Sequence, residues 1–309
     1  MHEVAVVLST YNGSRFIKEQ IDSILNQKDV HTVIYIRDDG STDDTVSIIR
    51  ENYKDNDDVR LETGKNIGVG PSFMQCLCDI KESYDYYSFS DQDDIWLEDK
   101  LISAVNALQK VSGPALYSSN QFIADPEGNK TAIRYSSEPE HSYVRCMCSN
   151  RLSGCTFVWN FEMNKILSDP KRRPDDQLLN IRIHDVWVAL VAHITGKVIY
   201  DEEPHILYRV HDKNYVGVSE KHGLAGKISA VIDNIRTGKM QYRSLTCREF
   251  SKCFGDLMSS EELEHTNEYA NYMKDSKIKR KLLKDPAPYF LADNESLLSY
   301  RIKIFLNLW

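Results

Sequence analysis

Apolar positions in the first 110 residues switch repeatedly between the strand and the helix period. Val4–Leu8 is an unbroken apolar run, the pattern of a strand buried on both faces of a parallel sheet. Asn12-Gly13 marks a turn. Ser14 stands at the N-cap of a helix to about Gln27, whose stripe is Phe16, Ile17, Ile21, Ile24 and Leu25. Val33–Ile36 predicts a second strand, and Ser41 with Asp44 predicts a capping box opening a helix to Tyr53. Val59–Glu62 predicts a third strand, followed by the glycine-bearing loop Asn66–Gly70 and a helix with Pro71 in its first turn. Tyr86–Phe89 is the fourth strand. It runs into Ser90-Asp91-Gln92-Asp93-Asp94, and Leu97–Lys110 is helical again.

Strands alternating with helices imply a parallel sheet with right-handed crossovers, an α/β class. From Ala115 the pattern changes. Strand-like Ala115–Phe122 and Cys155–Trp159 flank a polar stretch with loops and a hairpin, and Ser168–Asp176 is a charged loop. A helix is expected over His184–Ile194, then strands at Lys197–Tyr200 and His205–Arg209. Beyond Gly223 the chain is helical and polar.

The composition narrows the classes. With 38 Lys and Arg against 46 Asp and Glu, the chain carries −8, which argues against nucleic acid as a partner. An acidic protein that binds a diphosphate needs local basic groups, helix N-termini or a divalent cation. The N-terminus lacks the basic start of a signal peptide, and no run reaches the ~18 uncharged apolar residues of a membrane span. Seven cysteines, an odd count without an export signal, suit reduced thiols in a cytoplasmic protein. The one-residue spacers of Cys76/Cys78 and Cys146/Cys148 are not zinc-knuckle spacings.

Ligands in open α/β sheets bind beyond the carboxyl ends of the strands. Those ends carry Ser9-Thr10-Tyr11-Asn12, Asp38-Asp39-Gly40-Ser41 and Asp91-Gln92-Asp93-Asp94. Clustered carboxylates repel, so fold maintenance explains them poorly; Asp43 and Asp44 alone suit a helix dipole. A dinucleotide fold would place Gly-x-Gly-x-x-Gly after the first strand, and this chain offers Ser-Thr-Tyr-Asn-Gly there. A receiver-like domain would leave the second half without a role. A phosphohydrolase using Asp91, Asp93 and Asp94 would give none to Asp39.

Four motifs in order carry a resemblance: Val4–Leu8 into Ser9-Thr10-Tyr11-Asn12, Asp38-Asp39-Gly40-Ser41-Thr42-Asp43, Asn66-Ile67-Gly68, and Ser90-Asp91-Gln92-Asp93-Asp94-Ile95-Trp96. The set resembles family-2 glycosyltransferases of the GT-A fold, over about residues 1–215. With His184-Asp185-Val186-Trp187 and Tyr208-Arg209-Val210-His211, it is similar to bacterial rhamnosyltransferase-like members of polysaccharide biosynthesis. The resemblance implies a Rossmann-like, mostly parallel central sheet in a catalytic domain over 1–222, with a nucleotide-binding half (1–110), an acceptor half (111–222) and a helical extension over 223–309.

The roles it implies fall on matching residues. Ser9, Thr10, Tyr11 and Asn12 line the nucleotide, Asp39 binds the base, and Asp91 with Gln92 faces the ribose side. Asp93 holds the metal, Mn²⁺ or Mg²⁺, and Asp185 is the catalytic base, with a helix-capping role as the alternative. His211 is either a metal or diphosphate contact or an exposed loop histidine, and His184 orients local structure. Trp96 and Trp187 are candidate acceptor contacts, with core burial as the alternative. One departure stands out: Pro71-Ser72-Phe73 replaces the Arg-Asn that many members carry after the Asn-x-Gly loop. Arg37, Lys65 and Arg151 are the candidate substitutes.

The implied reaction is inverting, metal-dependent transfer of a sugar to a hydroxyl of a bacterial surface polysaccharide or its lipid-linked precursor. L-Rhamnose from dTDP-rhamnose is the first expectation, galactose or glucose from a UDP-sugar the next. A non-catalytic nucleotide-sugar or glycan-binding homologue is the rival, and it would lack the base. The tail is basic over 274–284 and apolar over 297–309. It suits peripheral contact with the inner face of the plasma membrane, or packing on the catalytic domain or on a second subunit of a homodimer.

Overall fold

The computed structural model describes residues 1–211, 241–286 and 296–309. The four apolar runs of the first half form β1 (His2–Thr10), β2 (Val30–Asp38), β3 (Val59–Thr63) and β4 (Tyr86–Ser90). They pair in parallel in the order β3-β2-β1-β4. Val4 to Leu8 are fully buried because both sheet faces are covered. Alternate side chains serve different layers. Val4, Val6 and Leu8 pack with α1 (Ile17–Leu25), α2 (Thr45–Tyr53) and α4 (Lys100–Leu108). Ala5 and Val7 face α3 (Val69–Asp79) and the second half.

The second half continues the same sheet as β5 (Ile95–Trp96), β6 (Ala115–Ala124), β7 (Lys130–Ile133), β8 (Val158–Asn160) and β9 (Lys197–Arg209). β8 lies antiparallel between β4 and β6, while β6 pairs in parallel with β9. The expected hairpin is β6–β7. The strands expected at Lys197–Tyr200 and His205–Arg209 are one, because Asp201-Glu202-Glu203-Pro204 rides over β6 as a bulge: Ser119 faces Asp201 and Asn120 faces Pro204. Proline lacks the ladder N–H and is tolerated at such a break. The strand expected at Cys155–Trp159 starts as a 3₁₀ turn, Gly154–Thr156, and becomes strand only at Val158.

Two expected caps are wired differently. Helix α1 starts at Ile17 with no side-chain cap, and the Ser14 amide donates to Asp43 Oδ2 at 3.2 Å. Helix α2 starts at Thr45 without the Ser41/Asp44 capping box; the Ser41 hydroxyl bonds Asp38, and Asp43 Oδ1 accepts from the Thr45 amide at 3.0 Å. The Ser14 amide on Asp43 and the Asn12 amide on Ser41 Oγ, at 3.2 and 2.9 Å, instead tie the two strand-end loops to each other.

The remaining helices are α5 (Tyr143–Cys148), α6 (Phe161–Leu167), α7 (Asp176–Ile181), α8 (His184–Thr195), α9 (Tyr242–Phe254), α10 (Ser260–Asn271), α11 (Ser276–Lys284) and α12 (Leu297–Phe305). The C-terminal helices share a core with the catalytic half. Trp187 of α8 stands edge-on to Phe250 and Phe254 of α9, at centroid distances of 5.3 and 5.8 Å. The expected domain boundary at 222 lies outside the described residues. Among the described residues no helix is long and apolar enough to cross a membrane.

Candidate active site

The carboxyl ends of β1, β2 and β4 open into a cavity of about 240 Å³, closed on the far side by the start of α8. Ser9, Tyr11, Asp39, Asp91, Gln92 and Asp93 line the first side; Gly154, His184, Asp185 and Tyr208 line the second. Thr10 and Asn12 do not face the cavity. The Thr10 hydroxyl and the Tyr11 amide both donate to Gln92 Oε1, at 2.6 and 2.9 Å, so the glutamine amide clamps the loop after β1. Asn12 sits at φ +51° and its Oδ1 accepts from the Thr42 amide at 2.8 Å, tying that loop to the one after β2.

Asp39 is nearly closed off from solvent. Its carboxylate accepts from the Ile67 and Gly68 amides, each at 2.9 Å, and from the Arg37 guanidinium at 2.5 Å. The Asn66–Gly68 loop is therefore folded onto Asp39, and Gly68, at φ +95°, makes the turn that brings two successive amides to it. Arg37 also donates to Ser72 Oγ at 3.0 Å, which lies 2.7 Å from Ser9 Oγ. Arg37 thus sits beneath the loop, and neither it, Lys65 nor Arg151 is among the residues lining the cavity.

The acidic end of β4 divides by depth. Asp91 and Asp93 face the cavity. Burial, with the charges of Asp93 and Asp185 added, pushes the Asp91 carboxyl up to about 7. Asp93 Oδ2 lies 2.9 Å from His211 Nε2, and the His211 ring stacks on Phe16 at 5.0 Å. His211 is therefore not an exposed loop histidine. Asp94 points inward: its Oδ1 accepts from the Arg209 amide at 3.2 Å, and burial drives its carboxyl well above the usual range.

Asp91, Asp94 and Cys155 bring donor atoms within 4.8 Å of one another, close enough by distance alone for a cation. The chemistry disagrees. Burial raises both the Asp94 carboxyl and the Cys155 thiol, which disfavours their charged, metal-binding forms, and a soft sulfur is a poor ligand for Mg²⁺ or Mn²⁺. Asp91 and Asp93, hard carboxylates lining the cavity, fit such an ion, with the His211 imidazole behind them at 2.9 Å from Asp93.

Asp185 stands in the first turn of α8, its Oδ1 accepting from the Val186 amide at 2.6 Å. Burial pushes its carboxyl up to about 7. Gly154 lies against it, and a Cβ there would sit 2.9 Å from Asp185 Cβ and 3.2 Å from His184 Nε2. His184 stacks on Phe73 at 3.9 Å and meets Phe89 edge-on at 4.7 Å; burial pushes its imidazole down to about 3, so it packs as a neutral ring.

Both tryptophans take the core-burial alternative rather than the acceptor contact. Trp96 and Trp187 are each 3% exposed. The Lys100 ammonium lies 3.5 Å from the Trp96 ring centroid, and Trp187 is inside the α8–α9 packing, so neither indole has a face for a sugar. Sequence reasoning missed Gly154 and Tyr208. Gly154 belongs to no recognisable motif, and Tyr208, though part of the Tyr208–His211 motif, gets no role of its own from it.

Residues 5–158 match the model of glycosyl transferase family 2. A dTDP-rhamnosyl transferase of Shigella flexneri is 34% identical over 222 residues, 69% of this chain and 74% of that protein. The chain belongs to glycosyl transferase family 2. It is a glycosyltransferase that uses a nucleotide-sugar donor. Solved structures show the GT-A fold. TarS of S. aureus in complex with UDP-GlcNAc superposes with a TM-score of 0.56 at 15% identity, over 99% of this chain and 93% of that one. A mannosyltransferase of Pyrobaculum calidifontis in complex with GDP-Man and Mn²⁺ gives 0.51 at 15% identity, over 99% and 87%.

Proposed function

We propose that this transferase moves L-rhamnose from dTDP-rhamnose, by an inverting and metal-dependent reaction, to a hydroxyl of a bacterial surface polysaccharide or its lipid-linked precursor. The supporting observation is one cavity that brings together acidic and loop residues of the β1, β2 and β4 ends with the carboxylate of Asp185 from the start of α8. The Shigella relative, named for dTDP-rhamnosyl transfer, supports the choice of donor; UDP-galactose and UDP-glucose are the next donors to try.

In this reading Ser9, Tyr11 and Asp39 hold the nucleoside, with Asp39 accepting from the base ring N–H through lone pairs left free by the Ile67 and Gly68 amides. Asp91 with Gln92 faces the ribose side. Thr10 and Asn12 act from behind, fixing the loop that presents Tyr11. Asp93 and His211 would hold Mn²⁺ or Mg²⁺, which when bound neutralises charge on the departing diphosphate. Asp185 takes the proton of the acceptor hydroxyl as that oxygen attacks the sugar carbon from the face opposite the diphosphate. The raised carboxyl pKa suits this task, because a base near neutrality is both ionised and strong enough to accept a proton.

A donor panel read by thermal shift, with Mn²⁺, Mg²⁺ or EDTA, tests the assignment. Saturation to a hundred times Kd stabilises by about 2.7 kcal/mol. A shift with dTDP-rhamnose that EDTA and Asp93→Ala abolish is the expected result. A shift confined to a UDP-sugar reassigns the donor. No shift with any nucleotide-sugar overturns the reading.

A further inference from the structure

Among the described residues, the C-terminal helices carry an exposed apolar stripe. On α12, Tyr300 and Ile304 are fully buried, while Leu298, Phe305 and Ile302 are 69%, 67% and 49% exposed, with Leu306 beyond them at 54%. Positions 298, 302 and 305 follow the helical repeat, so they form one outward face. Helix α11 lies alongside. Lys279 Nζ donates to the Phe305 carbonyl and to Asn307 Oδ1, each at 2.8 Å, pinning the end of α12 to α11. Leu282 of α11 is buried and Ile278 and Leu283 pack on the core, so Lys277, Arg280 and Lys284 project outward. Lys274 and Arg301 are exposed as well.

We infer that this face docks on an anionic lipid bilayer. It rests on the proposed function insofar as a lipid-linked acceptor would be met there. Charge complementarity selects the occupant. In a protein of net charge −8, residues 274–284 hold six basic side chains and one acidic residue, Asp275; Lys281 pairs with Glu264 and Glu268 and Lys279 holds the end of α12, so Lys274, Lys277, Arg280 and Lys284 carry the outward charge. Basic side chains beside an exposed Leu, Ile and Phe stripe match lipid headgroups over acyl chains. A second copy would set this basic cluster near its own likeness across a two-fold axis, which is unfavourable.

The test is co-sedimentation of the full chain with vesicles of phosphatidylcholine alone and with about 30% phosphatidylglycerol, at roughly 0.05 and 0.5 M salt. Binding to the anionic vesicles that weakens with salt is expected. The triple change Lys277→Gln, Arg280→Gln, Lys284→Gln should lower partitioning about a hundredfold. Ile302→Ser with Phe305→Ser should lower it about tenfold or more. Both variants should keep the wild-type melting temperature and donor-induced shift, which separates lost docking from lost folding. Equal binding to both vesicle types, or no change in either variant, overturns the inference. So does a concentration-dependent dimer that Phe305→Ser dissolves. Vesicle binding needs no turnover, so Asp185→Asn should bind vesicles as wild type does. A protein that binds vesicles but no nucleotide-sugar would sink the transferase reading and leave this one standing.

Discussion

Replacing Asp185 by Asn removes a proton acceptor and little else. The asparagine Oδ1 can still accept from the Val186 amide, which now bonds the aspartate at 2.6 Å, and the volume is unchanged. The loss therefore measures proton transfer: on the order of 10²–10⁴ in kcat, or about 2.7–5.4 kcal/mol of transition-state stabilisation. The pH profile adds a sharper figure. A carboxyl pushed up to about 7 is roughly one-eleventh ionised at pH 6 and ten-elevenths at pH 8. The wild-type kcat/KM, which reports the free enzyme, should thus rise about tenfold from pH 6 to pH 8. An ordinary carboxylate would be fully ionised throughout and give a flat profile. The assay is release of the nucleoside diphosphate with acceptor present, alongside donor binding by thermal shift, which Asp185→Asn should leave unchanged. An Asn variant keeping more than about a tenth of kcat refutes the assignment of the base, and a flat profile over that range refutes the raised carboxyl.

Gly154→Ala should lower kcat at least about tenfold with donor binding retained, since its Cβ would press on Asp185 Cβ at 2.9 Å and misplace the carboxylate; equal kinetics would show that the wall yields. Trp187→Ala should cost about 3–5 kcal/mol in urea unfolding by opening the packing against Phe250 and Phe254, whereas a sugar contact would raise an acceptor KM at unchanged stability. His184 gives a signed pH effect on stability. Its folded pKa of about 3 lies below the unfolded 6.5, so the unfolded chain takes up the proton first and stability falls as pH drops below 6.5. Asp91 and Asp185, raised to about 7, act oppositely, their contribution shrinking as pH rises from 3.8 to 7. The difference in urea midpoint between wild type and His184→Gln isolates the histidine and should narrow from pH 7 to pH 4; a constant difference would refute the neutral buried ring. His211→Ala should weaken the Mn²⁺-dependent donor shift while leaving the melting temperature of the donor-free protein unchanged, and a lowered donor-free melting temperature would point to a structural role for the ring.

Period and side-chain chemistry are local properties, so the alternation of elements, the burial of the first strand and the acidic strand ends were legible along the chain. Val4–Leu8 can be apolar throughout only in a strand covered on both faces, and Asp39, Asp91 and Asp93 cannot be explained as surface wetting. Their order along the chain was enough to identify the family. Tertiary structure decided what depends on neighbours distant in sequence. β8 inserts antiparallel between β4 and β6, and β9 runs unbroken across Pro204 because β6 holds both of its ends. Ser14 and Ser41 serve the contact between two loops rather than their own helices, and Asp43 serves both, accepting from Ser14 across the junction and from Thr45 at the start of α2. Trp96 and Trp187 follow the two key motifs in the chain yet point into cores, and Gly154, which no local pattern marks, sets the approach to Asp185. A side chain's type is written in the sequence, but the direction it faces is set by which elements come to lie against it.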